Sequence, residues 1–115
     1  MKKRDPFAGV RKIGLRMAGV EAVTRYDGSP MLKAGGTFMA AIASHPSAEP
    51  NSLVVRFAIE HRRLLLEDAP ETYYVTEYYE RYPLVLARLG QLSDDALRDL
   101  LSVSRQLALA RSRKR

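Results

Sequence analysis

Met31-Leu32-Lys33-Ala34-Gly35-Gly36-Thr37-Phe38-Met39-Ala40-Ala41-Ile42-Ala43 is the stretch on which the fold turns. Its two arms, 31–34 and 37–43, flank a Gly-Gly pair that can supply the positive φ angles of a tight turn, so the segment reads as a β-hairpin. Upstream, residues 22–26 read as a strand that ends in the turn formers Asp27-Gly28-Ser29-Pro30. Downstream, residues 44–51 hold two prolines and no periodicity, the mark of a loop. In 52–58, Leu53, Val55 and Phe57 alternate with Ser52, Val54 and Arg56, the pattern of a strand with one face on a core. A short helix is predicted over 59–69, with Leu64, Leu65 and Leu66 as its apolar surface and Pro70 as its stop. A brief strand over 73–76 and a last strand over 84–89 follow.

The outer segments are helical. Asp5-Pro6 makes a helix start, with Val10, Ile13 and Met17 at helical spacing and Gly19 as the stop. Ser93 caps the final helix, Asp94 and Asp95 sit where the helix dipole favours them, and Leu97, Leu100, Leu101 and Leu107 mark its buried face. This order predicts an α+β domain, a mainly antiparallel sheet of about five strands with an N-terminal and a C-terminal helix. Such a sheet can be covered by helices on one face and open to solvent on the other.

Composition narrows the function. The 115 residues suit a single domain spanning 1–115. The absence of cysteine excludes disulfides, thiolate nucleophiles and cysteine-held metals. The two histidines, His45 and His61, lack a metal-ligand spacing, so neither a metal nor a cofactor is expected. No run approaches the ~20 apolar residues of a membrane span. No apolar stretch follows Lys2-Lys3-Arg4, so a cytoplasmic protein without a membrane partner is expected. The chain has 19 Lys+Arg against 13 Asp+Glu, a net +6. Seven of those cations lie in the acid-free ends 1–4 and 111–115, leaving 12 against 13 between them, a net of −1. Basic ends favour phosphate-bearing partners and also keep a chain soluble.

No catalytic constellation stands out. Gly35-Gly36 lacks the further glycines and the Lys-Ser/Thr of a phosphate loop. Glu67-Asp68 and Asp94-Asp95 are adjacent carboxylates that do not share a helix face. A non-enzymatic protein is therefore expected. The most unusual local feature is five tyrosines in ten residues, Tyr73, Tyr74, Tyr78, Tyr79 and Tyr82. Their rings suit half-buried packing, and they could also stack on bases or form an interaction surface or pocket with His45. The five predicted strands, 22–26, 31–34, 37–43, 52–58 and 84–89, carry Arg25, Lys33, Arg56 and Arg88 and no acid. If these four project from the open face, they present a positive surface for phosphates.

The motifs Asp27-Gly28-Ser29-Pro30, Gly36-Thr37-Phe38, Tyr74-Val75-Thr76-Glu77-Tyr78-Tyr79, Tyr82-Pro83 with the apolar run through Leu89, and Ser93-Asp94-Asp95-Ala96-Leu97 together resemble the MmcQ/YjbR family of small bacterial proteins. The resemblance runs from about residue 8 to residue 110. The chain departs from the family pattern at Tyr78, where histidine is common, at Leu84, where tryptophan is common, and near Gly36, where lysine is common. The resemblance implies a curved antiparallel sheet similar to the double-wing DNA-binding domain of a phage transcription factor, and it implies no catalytic residues.

The expected function is weakly sequence-specific DNA binding. Arg25, Lys33, Arg56 and Arg88 would contact phosphates, with Lys12, Arg16, Arg111, Arg113 and Lys114 adding charge. The alternative is a protein-interaction module or homodimer that uses the Tyr-rich segment 73–82, with Tyr74, Tyr78, Tyr79, Tyr82 and His45 as the contact residues.

Overall fold

The computed structural model describes residues 5–113. Helix α1 (Ala8–Gly14) leads into a meander of β1 (Val20–Thr24), β2 (Pro30–Ala34), β3 (Thr37–Ile42) and β4 (Ser52–Arg56). Helix α2 (Ile59–Asp68), the short β5 (Tyr73–Tyr74), β6 (Leu84–Arg88), a 3₁₀ turn at Leu89–Gln91 and the long α3 (Asp94–Arg113) complete the chain. The six strands form one antiparallel sheet in the order β1-β2-β3-β4-β6-β5. The α+β class and the helices near both ends follow the sequence reading, with one more strand because Tyr73–Tyr74 pairs on the outer side of β6.

One face of the sheet carries the main core. Phe7 and Val10 from the α1 side, and Leu97, Leu100, Leu101 and Ala108 from α3, pack on Leu32, Met39, Leu53, Val55 and Val85. The Gly35-Gly36 turn forms as expected, with φ of 60° and 80°. At Gly35 the end of α3 lies so close that an added Cβ would sit 3.0 Å from Leu109 and from Ser112. Gly14 serves the same purpose under α1, where a Cβ would collide with Leu32.

Several boundaries differ from the sequence reading. Helix α1 starts at Ala8, because Asp5 and Pro6 form a turn that delivers the fully buried Phe7 to the core. The Asp5 carboxylate accepts the Phe7 N–H at 3.0 Å. The helix ends at Gly14, and turns carry the chain to Gly19, whose φ is +80°. Strand β1 starts at Val20, two residues early, and pairs Val20 with Ala34. That places Glu21 in the sheet directly opposite Lys33, so the strands are not free of acid. Strand β4 is buried on both faces, Ser52 and Val54 included, because the second face is covered in part.

That cover is the principal correction. A second core of Ala41, Val54, Tyr79 and Leu86 forms on the face expected to be open, with Tyr74, Val75, Ala43 and Ala48 packed against it. The chain around 43–50 and 74–82 lies over β4 and β6. Hydrogen bonds hold it down: the His45 N–H donates to the Tyr79 hydroxyl at 3.2 Å, the Glu49 N–H donates to the Tyr74 hydroxyl at 2.8 Å, and the Ser47 and Thr76 hydroxyls are 2.8 Å apart.

Candidate functional site

The cover stops over β3. Beyond it a groove of about 430 Å³ runs along the sheet, with Phe38, Val54 and Leu84 on its floor, His45, Tyr78 and Tyr79 along its wall, and Arg25 beside them. Strand β3 shapes it through a bulge. Leu32 pairs with Ala40 and Lys33 with Phe38, so Met39 is the extra residue, and Met39 and Ala40 both turn into the main core. Phe38 and Ala41 are left on the groove side.

Register places Lys33, Arg56 and Arg88 on this face. Arg56 stacks on Phe38, and Lys33 lies opposite Phe38 and Glu21. Arg88 lies over Tyr74. Arg25 follows β1 at the groove's edge. Their circumstances differ. Arg25 donates through Nε to the Ser29 hydroxyl at 2.8 Å and through Nη2 to the Ile42 carbonyl at 2.7 Å. Arg56 donates through Nε to the Phe38 carbonyl at 2.7 Å, with its guanidinium 5.7 Å from the Phe38 ring centre. The two guanidinium groups are thus pinned by carbonyls near opposite ends of β3. Among the described residues neither is in ion-pair contact with a carboxylate. Asp27 is linked to Arg25 through Ser29, whose hydroxyl donates to Asp27 at 2.6 Å. That bond first, and the Ser29 N–H second, hold the Asp27 carboxyl below its usual range.

Arg88 is spent inside the fold. Its Nε and Nη2 grip both oxygens of Glu49 at 2.8 Å, its Nη1 reaches the carbonyls of Pro70 and Glu71, and it lies 4.3 Å from the centre of the Tyr74 ring. The bond from Arg88 is the main cause that lowers the Glu49 carboxyl below its usual range and raises the Arg88 guanidinium. The sequence contains Glu49 in plain view, but nothing in a 39-residue separation signals the pairing.

The other cations named from the sequence lie elsewhere. Lys12 and Arg16 belong to α1 and the turn after it, on the helical layer behind the sheet. Arg111 and Arg113 lie at the end of α3, and Lys114 and residues 1–4 fall outside the described residues. The structure brings none of these together with the groove; Arg111 shares a separate cleft with Arg56.

The tyrosines divide by task. Tyr79 is buried and Tyr74 half-buried, both with their hydroxyls hydrogen-bonded, while Tyr78 and Tyr82 are exposed. Tyr78 stacks on His45 with ring centres 3.5 Å apart. The groove therefore has an aromatic lip, made by Tyr78 with Tyr82 6.2 Å away. Among the described residues no three His, Asp or Glu side chains gather where they could hold a metal ion, and no helix is long and apolar enough to cross a membrane. No family model, curated protein or solved structure matches the chain.

Proposed function

We propose that this chain is a non-catalytic nucleic-acid-binding domain, cytoplasmic in setting, that lays a single strand along β3. The observation that carries the reading is the pair Arg25 and Arg56, fixed at the two ends of β3 on one face and free of any carboxylate contact among the described residues. Guanidinium groups held by a carbonyl keep further N–H donors for phosphate oxygens. The exposed Tyr78 ring and Phe38 beside them supply faces on which unpaired bases stack, a contact that tolerates any base sequence. Lys33 adds a third cation, partly offset by Glu21. The net charge of +6 adds long-range attraction, and the resemblance to the MmcQ/YjbR family points the same way.

The test is a salt titration of a labelled oligothymidylate and its duplex between about 50 and 200 mM salt. Three neutralised phosphates on a single strand predict a slope of log affinity against log salt near −2.1, from about −0.7 per phosphate. Arg25→Gln and Arg56→Gln each flatten it by about 0.7. Glu49→Gln frees Arg88 and steepens it by about the same amount. Unchanged slopes in both arginine variants, with binding lost when the charges of 1–4 and 113–115 are neutralised, would assign all attraction to the ends. The exposure of Tyr78 and Tyr82 favours a second reading, a protein contact. That reading predicts a complex that persists in high salt by light scattering.

A further inference from the structure

A different cavity, of about 610 Å³, opens at the end of the sheet between α3 and the start of α2. Its wall is apolar, built from Phe57, Pro83, Leu107 and Ala110, and Arg56 and Arg111 stand at its margin. We infer that this cleft is a binding site for a small amphipathic anion, an oxyanion headgroup held between Arg56 and Arg111 with its apolar body against Phe57 and Leu107.

Four observations carry it. The volume lies in the range of small-molecule sites, which are mostly apolar with a few placed polar groups. Neither guanidinium is in ion-pair contact with a carboxylate among the described residues, although two like charges next to an apolar wall are unfavourable. Burial first, and the nearby Arg111 charge second, lower the Arg56 guanidinium's hold on its proton, and an anion between the two groups reverses the second cause. The site is also built on fixed elements. The Ser104 hydroxyl, fully buried on α3, donates to the Arg56 carbonyl at 2.7 Å, and the Arg56 Nε bond to Phe38 fixes the side chain. The remaining nitrogens of Arg56 and the fork of Arg111 match a planar carboxylate or a phosphate equally well. Arg56 neighbours the groove through its contact with Phe38, whereas Arg111, Leu107 and Ala110 line the cleft alone.

The experiment titrates the full chain with octanoate, octyl phosphate and the neutral octanol, followed by amide chemical shifts. Saturable shifts at Phe57, Leu107 and Ala110 are expected with either anion, with octanol at least tenfold weaker. Whichever anion binds more tightly identifies the headgroup. Arg111→Ala is expected to weaken the anion tenfold or more. Ala110→Phe, which fills the cleft, is expected to abolish its binding and leave oligothymidylate binding intact. Equal binding of octanol and the anions, no saturable shift with any of the three, or full anion affinity in Arg111→Ala would overturn the inference while leaving the groove reading standing.

Discussion

Arg62 lies on α2 yet is only 8% exposed, and its guanidinium donates to the carbonyls of Tyr82 and Leu84 through Nη1 and of Glu80 through Nη2, at 2.7 to 3.0 Å. It fastens the Tyr-rich segment to the helix, and with it the chain that forms the groove wall. A hydrogen bond from a charged donor contributes ~1.5–3 kcal/mol, and because the three bonds share one guanidinium and do not add, Arg62→Ala is expected to destabilise by about 3 kcal/mol in urea denaturation. Lysine recovers only part, because an ammonium cannot reproduce the planar fork. The sequence shows a signal for this residue: Arg62 precedes Leu65 and Leu66 by three and four positions, hence on their face of the helix, and a charge there needs buried partners. The partners themselves are 18 to 22 residues away and give no local sign. Arg25 is similar. Its place near a strand could be read, but its bond to the Ile42 carbonyl depends on how three strands align.

At the scale of elements, the hairpin was the most legible part, because Gly-Gly between two apolar arms leaves few alternatives. Its bulge was not, since Phe38, Met39, Ala40 and Ala41 are all apolar and no polar residue marks the face on which each lies. Ser93 caps α3 as read, its hydroxyl accepting the Ala96 N–H at 3.1 Å. The far end of the same helix closes on the hairpin, where Ser112 donates to the Gly35 carbonyl at 2.7 Å and pairs with the Thr37 hydroxyl at 2.6 Å. Gly35→Ala combines a left-handed φ of 60° with a crowded Cβ, and a loss of about 1–2 kcal/mol is expected from the backbone alone. Gly36→Ala, with the same sign of φ and open space, is expected to cost less, and paired denaturation curves measure the difference.

Over the whole molecule, the two-layer plan was legible from element order, whereas the second core was hidden because a proline-containing loop and a tyrosine cluster carry no period that marks them as a cover. This cover is latched by Glu49 and Arg88, which gives the fold an acid limit. The Glu49 carboxyl is held below its ordinary value of 4.5, as Asp27 is below 3.8. A carboxyl with a lowered folded-state value stabilises the fold above its unfolded value and loses that contribution as pH falls through the folded value. Stability is therefore expected to hold from neutral pH to about 4.5 and then to decline, and Glu49→Gln is expected to flatten the decline in urea midpoints measured against pH.

The central claim is that a single strand lies in the groove along β3. The most direct measurement is the amide and side-chain shift map of the full chain titrated with oligothymidylate. Perturbations centred on Arg25, Phe38, His45, Arg56 and Tyr78 are predicted, and perturbations confined to residues 1–4 and 111–115, with the groove silent, would contradict it.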